Sequence, residues 1–310
     1  MVDDLASFQR IAPEIDNLKP KQWCGLTEVF AWKSAPVNDI GDVVIEAFGC
    51  ELPEQWLTGM AARQTPPAWI NLEYLSAEAW VTQHHLLPSV HPRLGLIKTF
   101  FFPGFTPATG GLIRERDLIA PSGGCSLPLK VFMFGYDVAA SEALVADIMA
   151  SPTVASITVP AGALAERLAA SEPAKLRSVP FVPQPDFDAT LAAHDVLIVR
   201  GEDSFVRAQW AGKPFAWQIY PQAEGAHWPK LEAFLALYCA GLSVNAEAAV
   251  RGLWNRLNGR EAVSGATWQD FEAHLLEIAA HTREWTHRLR QQPDLAANLV
   301  AQVEKSLKTP

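Results

Sequence analysis

The run VLIVRGEDSFVRAQWAGKPFAWQIYPQ, residues 196–222, sets Arg200, Glu202, Asp203 and Ser204 on a turn between an apolar strand pattern and a helix pattern. Core packing requires none of them there. A helix N-terminus offers free backbone N–H groups to an anion such as phosphate. An arginine and a serine hydroxyl can add donors, and a glutamate can accept from sugar hydroxyls. The simpler reading is an N-cap, in which Asp203 and Ser204 satisfy the helix donors and favour its dipole. That reading leaves Arg200 and Glu202 without a purpose. Recognition of a diphosphate with an attached sugar accounts for all four residues.

A second set lies at other strand ends. FVPQPDF (181–187) presents Phe181, Gln184 and Phe187, and MFGYD (133–137) presents Phe134 and Tyr136. Any one buried aromatic is more often a core residue. Together, at the same expected rim, aromatic faces can stack a base while an amide reads its edge. A base slot beside a diphosphate cradle is a nucleotide-sugar site. Neither GxGxxG nor GxxxxGK occurs, so no dinucleotide fingerprint or P-loop is indicated. His84 with His85, and His274 with His281, have no Asp, Glu or Cys at metal spacing, so no metal is expected.

The elements that must position these residues read as alternating strands and helices. Strands are expected at 130–135, 155–159, 178–182, 195–200 and 214–219, and helices at 141–150, 162–170, 186–194, 203–212 and 225–241. Continuous apolar strands separated by helices imply a parallel sheet covered on both faces, and ligands bind such sheets beyond the carboxyl ends of their strands. In the first half, 42–48, 68–75 and 97–102 are strand-like, and PGFTPATGG (103–111) and PSGG (121–124) break the chain. Beyond Trp268 a long amphipathic helix is expected, with Phe271, Leu275, Ile278, Trp285 and Leu289 on one stripe and Thr267 with Asp270 as a capping box. A final helix follows Pro293. The expected division is residues 1–124, 125–290 and a terminal helical segment 291–310 that packs back on the first domain.

At 310 residues and a net charge of −9, the chain has room for two domains and no electrostatic footprint for nucleic acid. No apolar run approaches the roughly 18 residues that span a bilayer, so no membrane partner is expected. Cys24, Cys50, Cys125 and Cys239 form no CxxC pair, which fits reduced thiols in a cytoplasmic protein.

The runs RGEDSFVRAQWAGKPFAWQIYPQ, PFVPQPDFD and AHWPKLEAFL closely resemble the EarP family of protein-arginine rhamnosyltransferases acting on elongation factor P. VVIEAFGCELP, PAWINLEYLSAEAWV and KTFFFPGFTPATGGLIRE are similar to the same family, so the likeness covers nearly the whole chain. It implies an α/β fold of the GT-B class, with two Rossmann-like domains facing a cleft. It implies inverting, metal-independent transfer of L-rhamnose from dTDP-β-L-rhamnose to one arginine of elongation factor P, supporting translation of polyproline stretches; no cofactor is required. By the family pattern Phe134, Tyr136, Phe181, Gln184 and Phe187 form the thymidine pocket. Arg200, Asp203 and Ser204 serve the ribose, diphosphate and sugar with Tyr220 nearby, and Glu202 is essential. The family also places a strand and a turn of the form DNxGDIGVxWRLA at its front, whose second aspartate is the catalytic base. This chain opens at MVDDLASF, so that base is expected to be absent, the first domain incomplete, and transfer by residues 1–310 negligible with donor binding kept. Asp3, Asp4 and Glu73 are the nearest candidates to replace it. The alternative is an impaired homologue that only binds the dTDP-sugar or elongation factor P.

Overall fold

Two sheets of mainly parallel strands organise the chain, described here from a computed structural model covering residues 1–116, 118, 126–169, 174–260 and 268–308. Contacts divide it into two units, Met1–Tyr74 with Leu86–Phe101 and Val300–Pro310, and Leu75–His85 with Phe102–Leu299. This division does not follow the single break expected near residue 125. PSGG (121–124) and Cys125 lie outside the described residues.

In the first unit, Asp4 caps a short helix α1 (Leu5–Gln9). A hairpin of β1 (Lys21–Cys24) and β2 (Thr27–Phe30) follows, turning at Gly25 with φ +56°. Then come β3 (Val43–Ala47), α2 (Glu54–Ala62), β4 (Ala68–Leu72), β5 (Pro88–Val90) and β6 (Ile97–Phe101). The sheet runs β3-β4-β6-β5, parallel except for β5. Trp56 and Met60, one turn apart on α2, pack with Val44, Trp69 and Leu96. The three parallel strands match the expected apolar runs; the hairpin, α2 and β5 are additions.

The second unit opens with α3 (Ala79–His84) and continues as a regular alternation: β7 (Leu129–Met133), α4 (Ala139–Ala150), β8 (Val154–Pro160), α5 (Ala163–Ala169), β9 (Leu176–Val179), α6 (Gln184–Ala192), β10 (Val196–Arg200), α7 (Asp203–Ala211) and β11 (Phe215–Gln218). The sheet order is β11-β10-β7-β8-β9 with every pairing parallel. The chain winds outward from β7 on one side through β8 and β9, then returns to the other side for β10 and β11. Between β7 and β10 the winding reverses, and such a switch point opens a crevice at the carboxyl ends of the strands.

Among the described residues, five helices follow: α8 (His227–Tyr238), α9 (Val244–Leu257), α10 (Trp268–Ala273), α11 (Leu275–Arg290) and α12 (Leu295–Lys308). The single long helix expected after Trp268 is two, because His274 adopts φ −105°, ψ 10° between α10 and α11. Thr267 lies outside the described residues, while Phe271, Leu275, Ile278, Trp285 and Leu289 are all buried as the stripe requires. Helix α9 was not expected, although Ala246, Ala249, Val250, Leu253, Trp254 and Leu257 form its buried face at helical spacing. Burial of each large side chain there contributes about 1.5–3 kcal/mol. Inside this core Gln209, fully buried on α7, accepts from Trp285 Nε1 at 2.9 Å through its side chain and from the Thr286 hydroxyl at 2.6 Å through its carbonyl. These bonds lock α7 to α11.

Candidate active site

Val196 to Val199 are fully buried, so β10 is fixed from both faces and Arg200 emerges at its carboxyl end. Gly201 then takes φ +68°, a left-handed conformation that side chains disfavour, and lets the strand turn directly into α7. The turn is secured from within. The Ser204 hydroxyl donates to the Arg200 carbonyl, and Trp217 Nε1 donates to the Gly201 carbonyl at 2.7 Å. Trp217 stacks on Phe205 with ring centroids 4.0 Å apart, which fixes the first turn of α7 against β11.

The helix start is Glu202, and no side chain caps it. The N-cap reading of Asp203 and Ser204 therefore fails. Asp203 faces Arg207, whose Nε lies 2.9 Å from its carboxylate, and the Ser204 hydroxyl is bound to the turn. The first-turn N–H groups are left available to an anion.

Phe134 and Tyr136 follow β7 directly across the switch point. Phe134 N–H donates to the Ile198 carbonyl at 2.8 Å, and Tyr136 N–H to Gln218 Oε1 at 2.6 Å. Their rings flank the Arg200 guanidinium, whose central carbon is 4.5 Å from the Phe134 centroid and 4.7 Å from that of Tyr136. Such contacts hold a guanidinium in one plane without using its N–H donors. Burial raises the Tyr136 phenol above its ordinary pKa; the Arg200 charge opposes that and Tyr220 adds to it.

The remaining aromatics join this group. Phe181 and Phe187 meet Phe134 edge to face at 6.0 and 5.9 Å, and Tyr220 meets Tyr136 at 5.9 Å. Phe187 is also anchored on Phe132 at 5.8 Å. The strand expected at 178–182 ends at Val179, since Pro180 has no N–H for the ladder. Phe181 thus lies in the loop, 65% exposed, and Gln184 begins α6 with its surface exposed.

A cavity of about 170 Å³ is walled by Phe134, Gly135, Phe181, Arg200 and the β8–α5 turn Pro160–Ala163. Complete small-ligand sites enclose roughly 300–1,000 Å³, so this one fits a single moiety. Of the expected site residues, Phe134, Phe181 and Arg200 line it. Tyr136 and Phe187 touch those residues through their rings, Tyr220 touches Tyr136, and Gln184, Glu202, Asp203 and Ser204 stand outside its wall. The Pro160–Ala163 wall was not foreseen, although a Pro-Ala-Gly-Ala turn after an apolar strand is the kind of small-residue turn that admits a ligand.

Glu202 keeps exposed surface on the turn while packed atoms crowd its carboxyl. That desolvation raises its pKa, opposed by the Leu75 backbone N–H and the Lys230 charge and reinforced by Asp203. Arg207, also unforeseen, is 7% exposed and binds Asp188 through both oxygens at 3.1 Å as well as Asp203. The Asp203/Arg207 spacing of four residues was the available signal.

Of the carboxylates considered as bases, Asp4 is occupied as the α1 cap, accepting from Ala6 N–H and from the Ser7 hydroxyl. Asp3 accepts the Asp4 N–H at 2.9 Å. Glu73 accepts the Asn71 side-chain amide. Among the described residues no three His, Cys, Asp or Glu side chains are grouped to hold a metal ion, and no helix is long and apolar enough to cross a membrane.

Comparison with known proteins follows the same direction. A family model described as Elongation-Factor P (EF-P) rhamnosyltransferase EarP matches residues 1–304. A protein-arginine rhamnosyltransferase of Pseudomonas putida is 41% identical over 341 aligned residues, covering 99% of this chain and 90% of its own length. One from Shewanella oneidensis is 36% identical, covering 98% and 89%. A solved structure described as the structural basis for EarP-mediated arginine glycosylation of translation elongation factor EF-P superposes with a TM-score of 0.56 at 33% identity, over 67% of this chain and 76% of that one.

Proposed function

Since the chain belongs to the EarP family of elongation factor P rhamnosyltransferases, whose α/β, GT-B fold class it has, we propose that it transfers L-rhamnose from dTDP-β-L-rhamnose to an arginine of elongation factor P. The transfer inverts the anomeric centre, uses no metal and takes place in the cytoplasm. The observation that carries this reading is Arg200, held between Phe134 and Tyr136 at the switch point beside the uncapped start of α7.

The diphosphate lies across Arg200 and the first N–H groups of α7, where charge-assisted bonds are strongest. The base enters the cavity against Phe134 and Phe181, with Gln184 at its edge. The sugar faces Glu202, which accepts from a hydroxyl. A guanidinium nitrogen of the acceptor attacks the anomeric carbon from the face opposite the diphosphate. An N–C bond forms, the C–O bond to phosphate breaks, and dTDP departs with the electron pair. Arg200 and the helix amides take up the charge that develops on the leaving group. The acceptor must also lose a proton, because a guanidinium has pKa above ~12 and no free lone pair. The aspartate assigned to that step belongs to a DNxGDIG run that residues 1–310 do not contain, so the assay supplies the run.

Elongation factor P is incubated with dTDP-β-L-rhamnose and this chain preceded by the family's strand and DNxGDIG turn, and its intact mass is measured. A gain of one deoxyhexose on arginine, lost in Glu202→Ala, is expected. An unchanged mass, or transfer that survives Glu202→Ala, refutes the assignment.

A further inference from the structure

Arg207, one turn into α7, is buried and held by three acidic side chains from three segments. Its Nε donates to Asp203 Oδ2 at 2.9 Å, Nη1 to both Asp188 oxygens at 3.1 Å, and Nη2 to Glu115 Oε1 at 3.3 Å. Every nitrogen of the planar fork is engaged. Neutralising one buried cation takes one carboxylate, and a buried ion pair often gives a fold no more stability than well-packed apolar side chains of similar volume. Three carboxylates around one guanidinium fix directions in space, a task that suits the rigid fork of arginine and not the single ammonium of lysine.

The segments so joined carry the candidate site. Asp188 lies one turn along α6 from Gln184 and directly after Phe187, whose ring meets Phe134 at 5.9 Å. Asp203 lies in the first turn of α7, between Glu202 and Ser204. Arg207 thus ties the helix that presents the base-side residues to the helix whose uncapped start is assigned above to the diphosphate. It also draws the Asp203 carboxylate back along α7. A carboxylate in the first turn is attracted to the helix start, where it would compete with an anionic ligand. Neither Arg207 nor Asp188 lines the cavity, so the pair acts on a ligand through the helices that carry it.

We propose that Arg207 is a positioning residue for donor binding: by holding Asp188 and Asp203 in one fork, it sets α6 against α7 at the spacing that lets a single nucleoside diphosphate reach its base site and its diphosphate site together. Such a ligand is two binding elements on a short linker. The second gains from the first only where the geometry lets both engage at once. Loosening one helix against the other loses that gain and leaves each half-site able to take its own moiety. The inference rests on the function proposed above, which identifies the ligand.

The full chain, Arg207→Lys and Arg207→Met are titrated with dTDP by calorimetry and with thymidine by saturation-transfer NMR. Lysine keeps a positive charge beside Asp188, and with it the fold, but presents no fork. Both variants are expected to bind dTDP about tenfold more weakly than wild type, with thymidine affinity unchanged. The unfolding temperature of Arg207→Lys should stay near that of wild type, which separates the effect from a loss of stability. Wild-type dTDP affinity in Arg207→Lys would overturn the inference while leaving the proposed function standing. Equal weakening of dTDP and thymidine would also overturn it, since the base site itself would then be damaged. So would a wild-type chain that binds dTDP but not thymidine, because its half-sites would not be separable. No dTDP binding by the wild-type chain would remove the proposed function and this inference with it.

Discussion

The carboxyl edges of the two parallel sheets make an instructive pair. Each ends in aromatic residues and charged side chains, and each is built by short apolar strands. In the second unit the edge offers donors: Arg200 between two rings, and α7 with no side-chain cap. In the first unit it offers acceptors: the unpartnered Asn71 oxygen and Glu73. One edge suits an anion and the other a cation. The function proposed above would call on groups of both kinds, carried at the carboxyl ends of parallel strands in each unit.

The largest effect expected at either edge is on turnover. In the chain preceded by the DNxGDIG turn, Glu202→Ala should lower rhamnose transfer by on the order of a hundredfold or more, given the usual weight of a positioned polar group in such a step. Comparable rates by intact-mass analysis would remove Glu202 from the chemistry. Next is stability. Arg207→Met strands the part-buried Asp188 carboxylate, and breaking such a pair costs about 3 kcal/mol. Asp203 is well exposed and adds little. Denaturant titration showing a loss under about 1 kcal/mol would class the network as superficial.

A smaller effect is expected at the cavity wall. Phe181→Ala should weaken dTDP binding by about 1–3 kcal/mol if the ring stacks a base. Unchanged affinity by calorimetry would return Phe181 to a packing role, as its contact with Phe134 alone would allow.

The smallest effect is a sign. Desolvation raises the Glu202 pKa, so the folded chain binds that proton more tightly than the unfolded chain. Its contribution favours folding below the ordinary carboxylate value and is lost as pH rises through the raised one. Glu202→Gln should therefore unfold at an equal or slightly higher temperature than wild type at pH 7, and the difference should shrink on acidification to about pH 4. A variant less stable at neutral pH would reverse the sign.

Much of the donor edge was legible because its signals are local. Gly201 between an apolar strand and DSFVRAQW marks the turn, and β7, β8, β10 and β11 are continuous apolar runs bounded by breakers. What sequence could not supply was where each polar atom finds its partner. Ser204 reads as a phosphate donor but bonds back to Arg200, and Asp203 reads as a cap but pairs with Arg207. Strand β9 ends earlier than the apolar VPFV suggests, because Pro180 removes a ladder donor. Helix α9 carries a buried stripe from Ala246 to Leu257 at helical spacing, a signal present in the sequence itself. The acceptor edge was hidden for a different reason. Asn71 is an orphaned acceptor only in the folded sheet, where its side-chain oxygen is buried between the flanking strands β3 and β6, and the segment WINLEY alone does not show it.

The most direct test of the central claim is a calorimetric titration of the full chain with dTDP-β-L-rhamnose beside the same titration of Arg200→Ala. The account predicts saturable binding by the wild-type chain and an affinity roughly ten- to a hundredfold weaker in the variant, since a charge-assisted diphosphate contact is lost. No binding by the wild-type chain, or equal affinity in the two, would contradict it.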